Sequence, residues 1–198
     1  MNKIALKDPS RANLAGTAVI LLITLLLVPL SSFLFGTALG PDELNALRTV
    51  IWILCGVWAV TFLLGELTGN TSQVDKIWSL MPIVYCWTIT AYGEFSARLV
   101  LMSLLVTAWG LRLTWNFSRH GAYRLKFWQG KEDYRWEILR QKPEFQPAWK
   151  WTLFNLVFIS GYQNILILLF TLPALVALQF ESSPIGPLDY FAALLMAA

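Results

Sequence analysis

The chain has 198 residues, enough for one domain, and is 57% hydrophobic but only 14% charged, with a mean hydropathy of +0.57. A soluble domain carries about 25% charged residues, so the composition excludes an ordinary soluble globular fold and predicts an all-α, polytopic bundle of transmembrane helices. The net charge of +3 is small, and no nucleic-acid partner is expected.

A helix needs about 20 apolar residues to cross the hydrocarbon of a bilayer. The first such run predicts a span over residues 14–39. A secretory signal has an apolar core of only about 7–15 residues, so this run reads as a retained helix, with Pro29 as a site for a kink. A second span is predicted over 47–67. The third, 77–92, is short and contains Pro82, which suits a tilted or partly re-entrant helix. A fourth covers 97–117 and a fifth 151–180. A last run, 188–198, supplies about half of a span, which gives the expectation of a piece of a longer protein.

Lys and Arg set orientation. Lys3, Lys7 and Arg11 lie before the first span. Eight basic residues (Arg119, Arg124, Lys126, Lys131, Arg135, Arg140, Lys142, Lys150) lie in the 118–150 segment. Four predicted spans separate the two groups, which places both on one side. The connections at 40–46 and 181–187 carry acids but no Lys or Arg. The N-terminus and 118–150 are therefore expected to be cytoplasmic. Trp128, Trp136, Trp149 and Trp151 in or beside that segment favour an amphipathic loop lying on the membrane surface. Within it, residues 131–141 read as a short helix, with Glu132 and Asp133 in the first turn and Arg140 near the last. It either rests on the membrane with intrahelical ion pairs or places Asp133 and Arg135 at the mouth of a pocket.

The polar residues in apolar runs carry the functional signal. Indexed at 3.6 residues per turn, Trp109, Arg112, Asn116 and Arg119 fall on one stripe of the fourth helix. The arginines either snorkel to the membrane edge or form an anion site, since guanidinium groups bind phosphate bidentately. Glu66 lies near the end of the second span, and ionisable groups at membrane depth are functional candidates. Ser72 and Asp75 match a weak capping box. Tyr162, Gln163 and Asn164 should face other helices, because lipid offers them no hydrogen bonds. Cys55 and Cys86 sit in apolar runs outside any CxxC spacing and read as small core residues. His120 is the only histidine. No metal-ligand cluster is visible and no metal is expected.

The stretches "SQVDKIWSLMPIVYCW", "WGLRLTWNFSRHG", "KEDYRWEILR" and "YQNILILLFTLPAL" resemble, in order, blocks of the bacterial membrane family allied to steroid 5-alpha-reductases, over roughly residues 65–198. The resemblance implies NADPH-dependent reduction of a carbon–carbon double bond in a hydrophobic lipid or sterol-like substrate, in the bacterial inner membrane and in contact with its lipids. It implies cofactor contacts from Arg112, Asn116, Arg119 and His120, joined by Asp133 and Arg135. His120 stands where the family has an asparagine. Glu66, with Tyr85 or Tyr92, would meet the substrate carbonyl. The family's C-terminal Ser-Arg-His-Pro-Asn-Tyr-like block has no counterpart here, so the resemblance implies a C-terminally truncated member. Two alternatives stay open. One is a methyltransferase of the isoprenylcysteine type using S-adenosylmethionine. The other is a non-catalytic membrane protein or fragment whose arginines snorkel.

Overall fold

The computed structural model describes residues 38–197 apart from 125 and 127, with a few isolated positions before residue 38. The chain divides into two units, Met1–Leu39 and Gly40–Ala198. In the first only isolated positions are described, so the predicted span 14–39, the Pro29 kink, and Lys3, Lys7 and Arg11 lie outside the described residues.

The second unit is helical, and among the described residues there is no strand. Helix α1 runs Pro41–Thr68. It starts six residues before the predicted span because Pro41 suits the first helical position and Asp42 and Glu43 complement the positive end of the helix dipole. Gly69, at φ 66°, ends it in the left-handed conformation. The predicted span 77–92 breaks in two. Helix α2 is Gln73–Ile77, and α3 is Met81–Tyr92. Pro82 lies in the first turn of α3 and starts that helix instead of bending a longer one. Twelve residues reach about 18 Å, short of the roughly 30 Å of hydrocarbon.

Helix α4 is Ala97–Arg119. Helix α5 is Tyr134–Arg140, shorter than predicted, with Asp133 as its N-cap and Glu132 ahead of it. A single 3-10 turn, Pro143–Phe145, follows. Helix α6 (Ala148–Phe154), a π-helical stretch (Asn155–Tyr162) and α7 (Gln163–Leu169) continue one another. Pro173 then opens α8, Pro173–Leu178. Helix α9 is Pro187–Ala197.

Helix α3 packs on both α1 and α4, the π stretch and α7 pack on α1, and α9 packs on α4. Val50, Tyr85, Ile89, Leu99, Ile159 and Ile167 form the fully buried centre. Hydroxyl pairs fasten the helices: Thr49 with Tyr92 at 2.7 Å, Ser79 with Thr114 at 2.7 Å, and Thr90 with Ser103 at 2.8 Å. At Gly110 the α4 backbone meets the Ser79 carbonyl so closely that a Cβ would collide with it. Asn164 is buried and bonded to Thr61, as expected of a polar residue within a span, whereas Tyr162 is 37% exposed. Cys86 is buried, but Cys55 is exposed on α1 and is not a core residue.

Three lengths, Pro41–Thr68, Ala97–Arg119 and Ala148–Leu178, are long and apolar enough to cross a membrane. They leave Trp52, Leu63, Leu111, Trp115 and Val157 exposed. So much outward apolar surface marks a membrane protein.

Candidate functional site

At the end of the bundle where α1 and α4 finish, the 69–76 turn, the 120–140 segment and the start of α6 are tied together. Asn70 donates to the Gly130 carbonyl at 3.0 Å, and Gln73 to the Trp128 carbonyl at 3.1 Å. Tyr123 donates to the Lys76 carbonyl. The Asp133 N–H donates to Ser72 Oγ at 2.8 Å. Ser72 therefore makes no side-chain cap on α2, and the expected capping box gives way to a tie to α5. Glu132 Oε1 accepts from the N–H and the hydroxyl of Thr71, both at 2.7 Å, and from Arg140 Nη2 at 3.0 Å. Arg140 Nη1 donates to the Gly69 carbonyl at 3.1 Å, and the guanidinium lies 4.8 Å from the Trp151 ring centroid.

Charge is managed locally here. Asp75 is mostly buried, and that burial pushes its carboxyl above the usual range, against the hydrogen bond it accepts from Trp136 Nε1 at 3.0 Å. Lys76 is buried beside it and donates to Gln73 Oε1 at 3.1 Å; burial pulls its ammonium below the usual value. Asp133 accepts from the Arg135 N–H, Nε and Nη2, each at 2.9 Å. That pairing holds its carboxyl below the usual range.

Two clefts flank this knot. The larger, about 840 Å³, is walled by Asn70, His120, Tyr123, Arg124, Trp128 and Lys131, among others, and none of its lining residues is acidic. Its floor depends on two glycines. Gly121 has φ 80°, and a Cβ at Gly130 would collide with the Ala122 carbonyl. The chain doubles back there, with Lys131 N–H donating to the Gly121 carbonyl at 3.3 Å. Two cations, an imidazole and two aromatic rings make a cleft suited to an anion that also carries a ring.

The smaller cleft, about 400 Å³, is bounded by Glu66, Arg140, Phe145, Gln146, Trp151 and Thr152, among others. Glu66 accepts from Thr152 Oγ1 and Asn155 Nδ2, both at 2.7 Å. Asn155 Oδ1 accepts from Ser160 Oγ at 3.0 Å. Asn164 Nδ2 donates to the Ser160 carbonyl at 2.7 Å and to Thr61 Oγ1 at 3.2 Å. A chain of polar groups thus climbs the seam between α1 and the π stretch.

The residues expected to form one site are divided. His120 lines the larger cleft, and its Nδ1 lies 2.8 Å from the Asn116 carbonyl oxygen. Arg112, Asn116 and Arg119 are exposed on α4. Their stripe is turned roughly 120–180° from Gly110, where α4 meets Ser79 and Ile83. Neither arginine has an ion pair among the described residues. Asp133 and Arg135 are spent on each other and line neither cleft. Tyr92 is paired with Thr49. Tyr85 is fully buried, and among the described residues its hydroxyl has no hydrogen-bond partner. With Tyr92 opposite Thr49 on antiparallel helices, Tyr85 sits roughly 15 Å along α1 from Glu66. The structure does not bring Glu66, Tyr85 and Tyr92 to one point. Arg124 and Lys131, visible in sequence only as part of a basic run, are the cations that line the larger cleft, and Arg112 and Arg119 do not line it. Asn155 and Thr152, which hold Glu66, gave no sequence signal beyond being polar in or beside an apolar run.

An uncharacterized protein of Schizosaccharomyces pombe is 35% identical over 130 residues, 60% of this chain. The chain covers 36% of that relative's length. No solved structure gives a significant match. The family described as "Protein of unknown function (DUF1295)" matches residues 58–197, which take in α2 to α9 and both clefts. The chain belongs to that family.

Proposed function

We propose that the chain takes part in NADPH-dependent reduction of a carbon–carbon double bond conjugated to a carbonyl, in an apolar lipid or sterol-like substrate that enters from the bilayer. The observation that carries this reading is Tyr85: a buried phenol, among helices long enough to span a membrane, whose hydroxyl has no hydrogen-bond partner among the described residues. A buried O–H without an acceptor costs free energy, and a substrate carbonyl entering from lipid would remove that cost. The resemblance gives the carbonyl to Glu66, but Glu66 opens into the smaller cleft and is held by Thr152 and Asn155. The donor role therefore passes to Tyr85.

The larger cleft fits a phosphorylated dinucleotide by its donor set. Arg124, Lys131 and His120 suit phosphate, and Trp128 and Tyr123 suit a ring. NADPH supplies the hydride when bound. Tyr85 would stabilise the charge that develops on the carbonyl oxygen and hold a proton there. In this reading the 118–150 segment faces the cytoplasm of a bacterial inner membrane, where the nucleotide is available.

The test uses the full chain in membranes with NADPH and an apolar enone. Tyr85→Phe removes one oxygen and leaves the packing, and the rate should fall about 10²-fold or more, the usual loss for one oxyanion donor. Arg124→Ala with Lys131→Ala should weaken NADPH binding while leaving Tm near that of the parent. Full activity in Tyr85→Phe would sink the reading.

A further inference from the structure

We propose that the smaller cleft holds the headgroup of an aminophospholipid, its ammonium against Glu66 and its phosphate beside Arg140, with an acyl chain lying on the aromatic ladder of the α6–π–α7 length. This site is separate from the reductase reading, which uses Tyr85 and the larger cleft.

Three features converge. Glu66 is an exposed carboxylate whose two partners, Thr152 and Asn155, are neutral. Among the described residues it has no ion pair. Phe145 and Trp151 stand in the same wall, 5.5 Å apart and edge to face. A carboxylate beside aromatic rings recognises an ammonium ion by charge and by cation–π attraction. Arg140 supplies the complement. It lines the same cleft with its side chain 37% exposed, its Nη groups donating to Glu132 and to the Gly69 carbonyl. A phosphate oxygen is the acceptor that a guanidinium N–H fits best.

Position then selects a lipid over a soluble zwitterion. The cleft lies where one membrane-length helix ends and another begins, at the depth of headgroups. From it the rings of Phe145, Phe154, Phe158 and Tyr162 follow one another at 4.8, 5.0 and 5.4 Å. Phe158 and Tyr162 are exposed, so the ladder presents an apolar strip continuous with the cleft.

The experiment is a lipid competition on the purified full chain. Delipidated protein is offered equimolar dioleoyl phosphatidylethanolamine and dioleoyl phosphatidylglycerol, and retained lipid is counted by native mass spectrometry. The ethanolamine lipid should be retained about tenfold over the glycerol lipid, the size of one desolvated cation–aromatic contact. Glu66→Gln should bring that ratio near one. Phe158→Ala, on an exposed face where folding is not at stake, should lower retention of the ethanolamine lipid. Equal retention by the parent chain, an unchanged ratio in Glu66→Gln, or unchanged retention in Phe158→Ala would each overturn the site. Competition by glycerophosphoethanolamine as strong as by the lipid would overturn the lipid as its occupant.

Discussion

Two aspartates fifty-eight positions apart meet at the same knot and respond to pH in opposite ways. Asp75 is raised by burial, with Trp136, Ser72 and Arg135 working against that and Asp133 adding to it. Its contribution to stability is full below the ordinary value of 3.8 and is lost as pH rises through its higher folded value. Asp75→Asn keeps an oxygen for Trp136 and removes the buried charge. Thermal unfolding at pH 7 should give this variant a Tm equal to or above the parent's, and the advantage should vanish in acid. Asp133 is lowered by Arg135 and caps α5. Its contribution is present above 3.8 and lost as pH falls below it. Asp133→Ala should therefore cost about 1 kcal/mol at pH 7, the usual worth of such a cap, with the deficit shrinking in acid. A pair of melting curves that moved in parallel with pH would contradict both assignments. The charge pattern around Asp133 was legible in "KEDYRWEILR"; the setting of Asp75 was not, because its partner Trp136 arrives from sixty-one residues away.

At the scale of elements, the predicted lengths 47–67, 97–117 and 151–180 fall on the three membrane-length helices, whereas 77–92 breaks into two short ones and the facing of the helices was not legible. The stripe of Arg112, Asn116 and Arg119 is real, but a 3.6-residue repeat does not say which stripe meets a neighbour. That is decided by Gly110, which lets Ser79 and Ile83 approach and leaves the arginine stripe on the opposite side. The π stretch was equally hidden. Its residues read as an ordinary apolar helix, and the one extra residue per turn follows from tertiary contacts. Trp58 Nε1 donates to the Leu156 carbonyl at 2.9 Å. Gly161 makes room for that indole: a Cβ there would sit 2.7 Å from the Leu156 oxygen and 2.9 Å from Trp58 Cζ2. Gly161→Ala should displace the indole and destabilise the chain by about 1–3 kcal/mol, the range for overpacking a core. Trp58→Phe, which removes the donor and leaves the glycine, should soften that penalty in the double variant. Additive losses would show that the indole is not what Gly161 accommodates.

Across the whole molecule, the knot at one end and the Arg98 clasp at the other have different work. Arg98 donates to Asp189 through Nε and Nη2 at 2.9 and 3.2 Å, and to the Phe180 and Pro184 carbonyls at 3.1 Å each. It thereby draws α9 and the turn before it onto α4. The knot sits at the opposite end of α4, beside a basic segment. With α4 long enough to cross a membrane, the proposed function puts the knot, beside the excess of Lys and Arg in 118–150, on the cytoplasmic side. Orientation can be read by labelling. In a Cys55→Ser background, which leaves only the buried Cys86, Lys126→Cys should resist a membrane-impermeant maleimide added to intact spheroplasts and react once they are opened. Ser183→Cys, in the turn before α9, should react in intact spheroplasts. The reverse pattern would put the larger cleft, with Arg124 and Lys131, on the side away from cytoplasmic nucleotide and would remove the basis for assigning it NADPH.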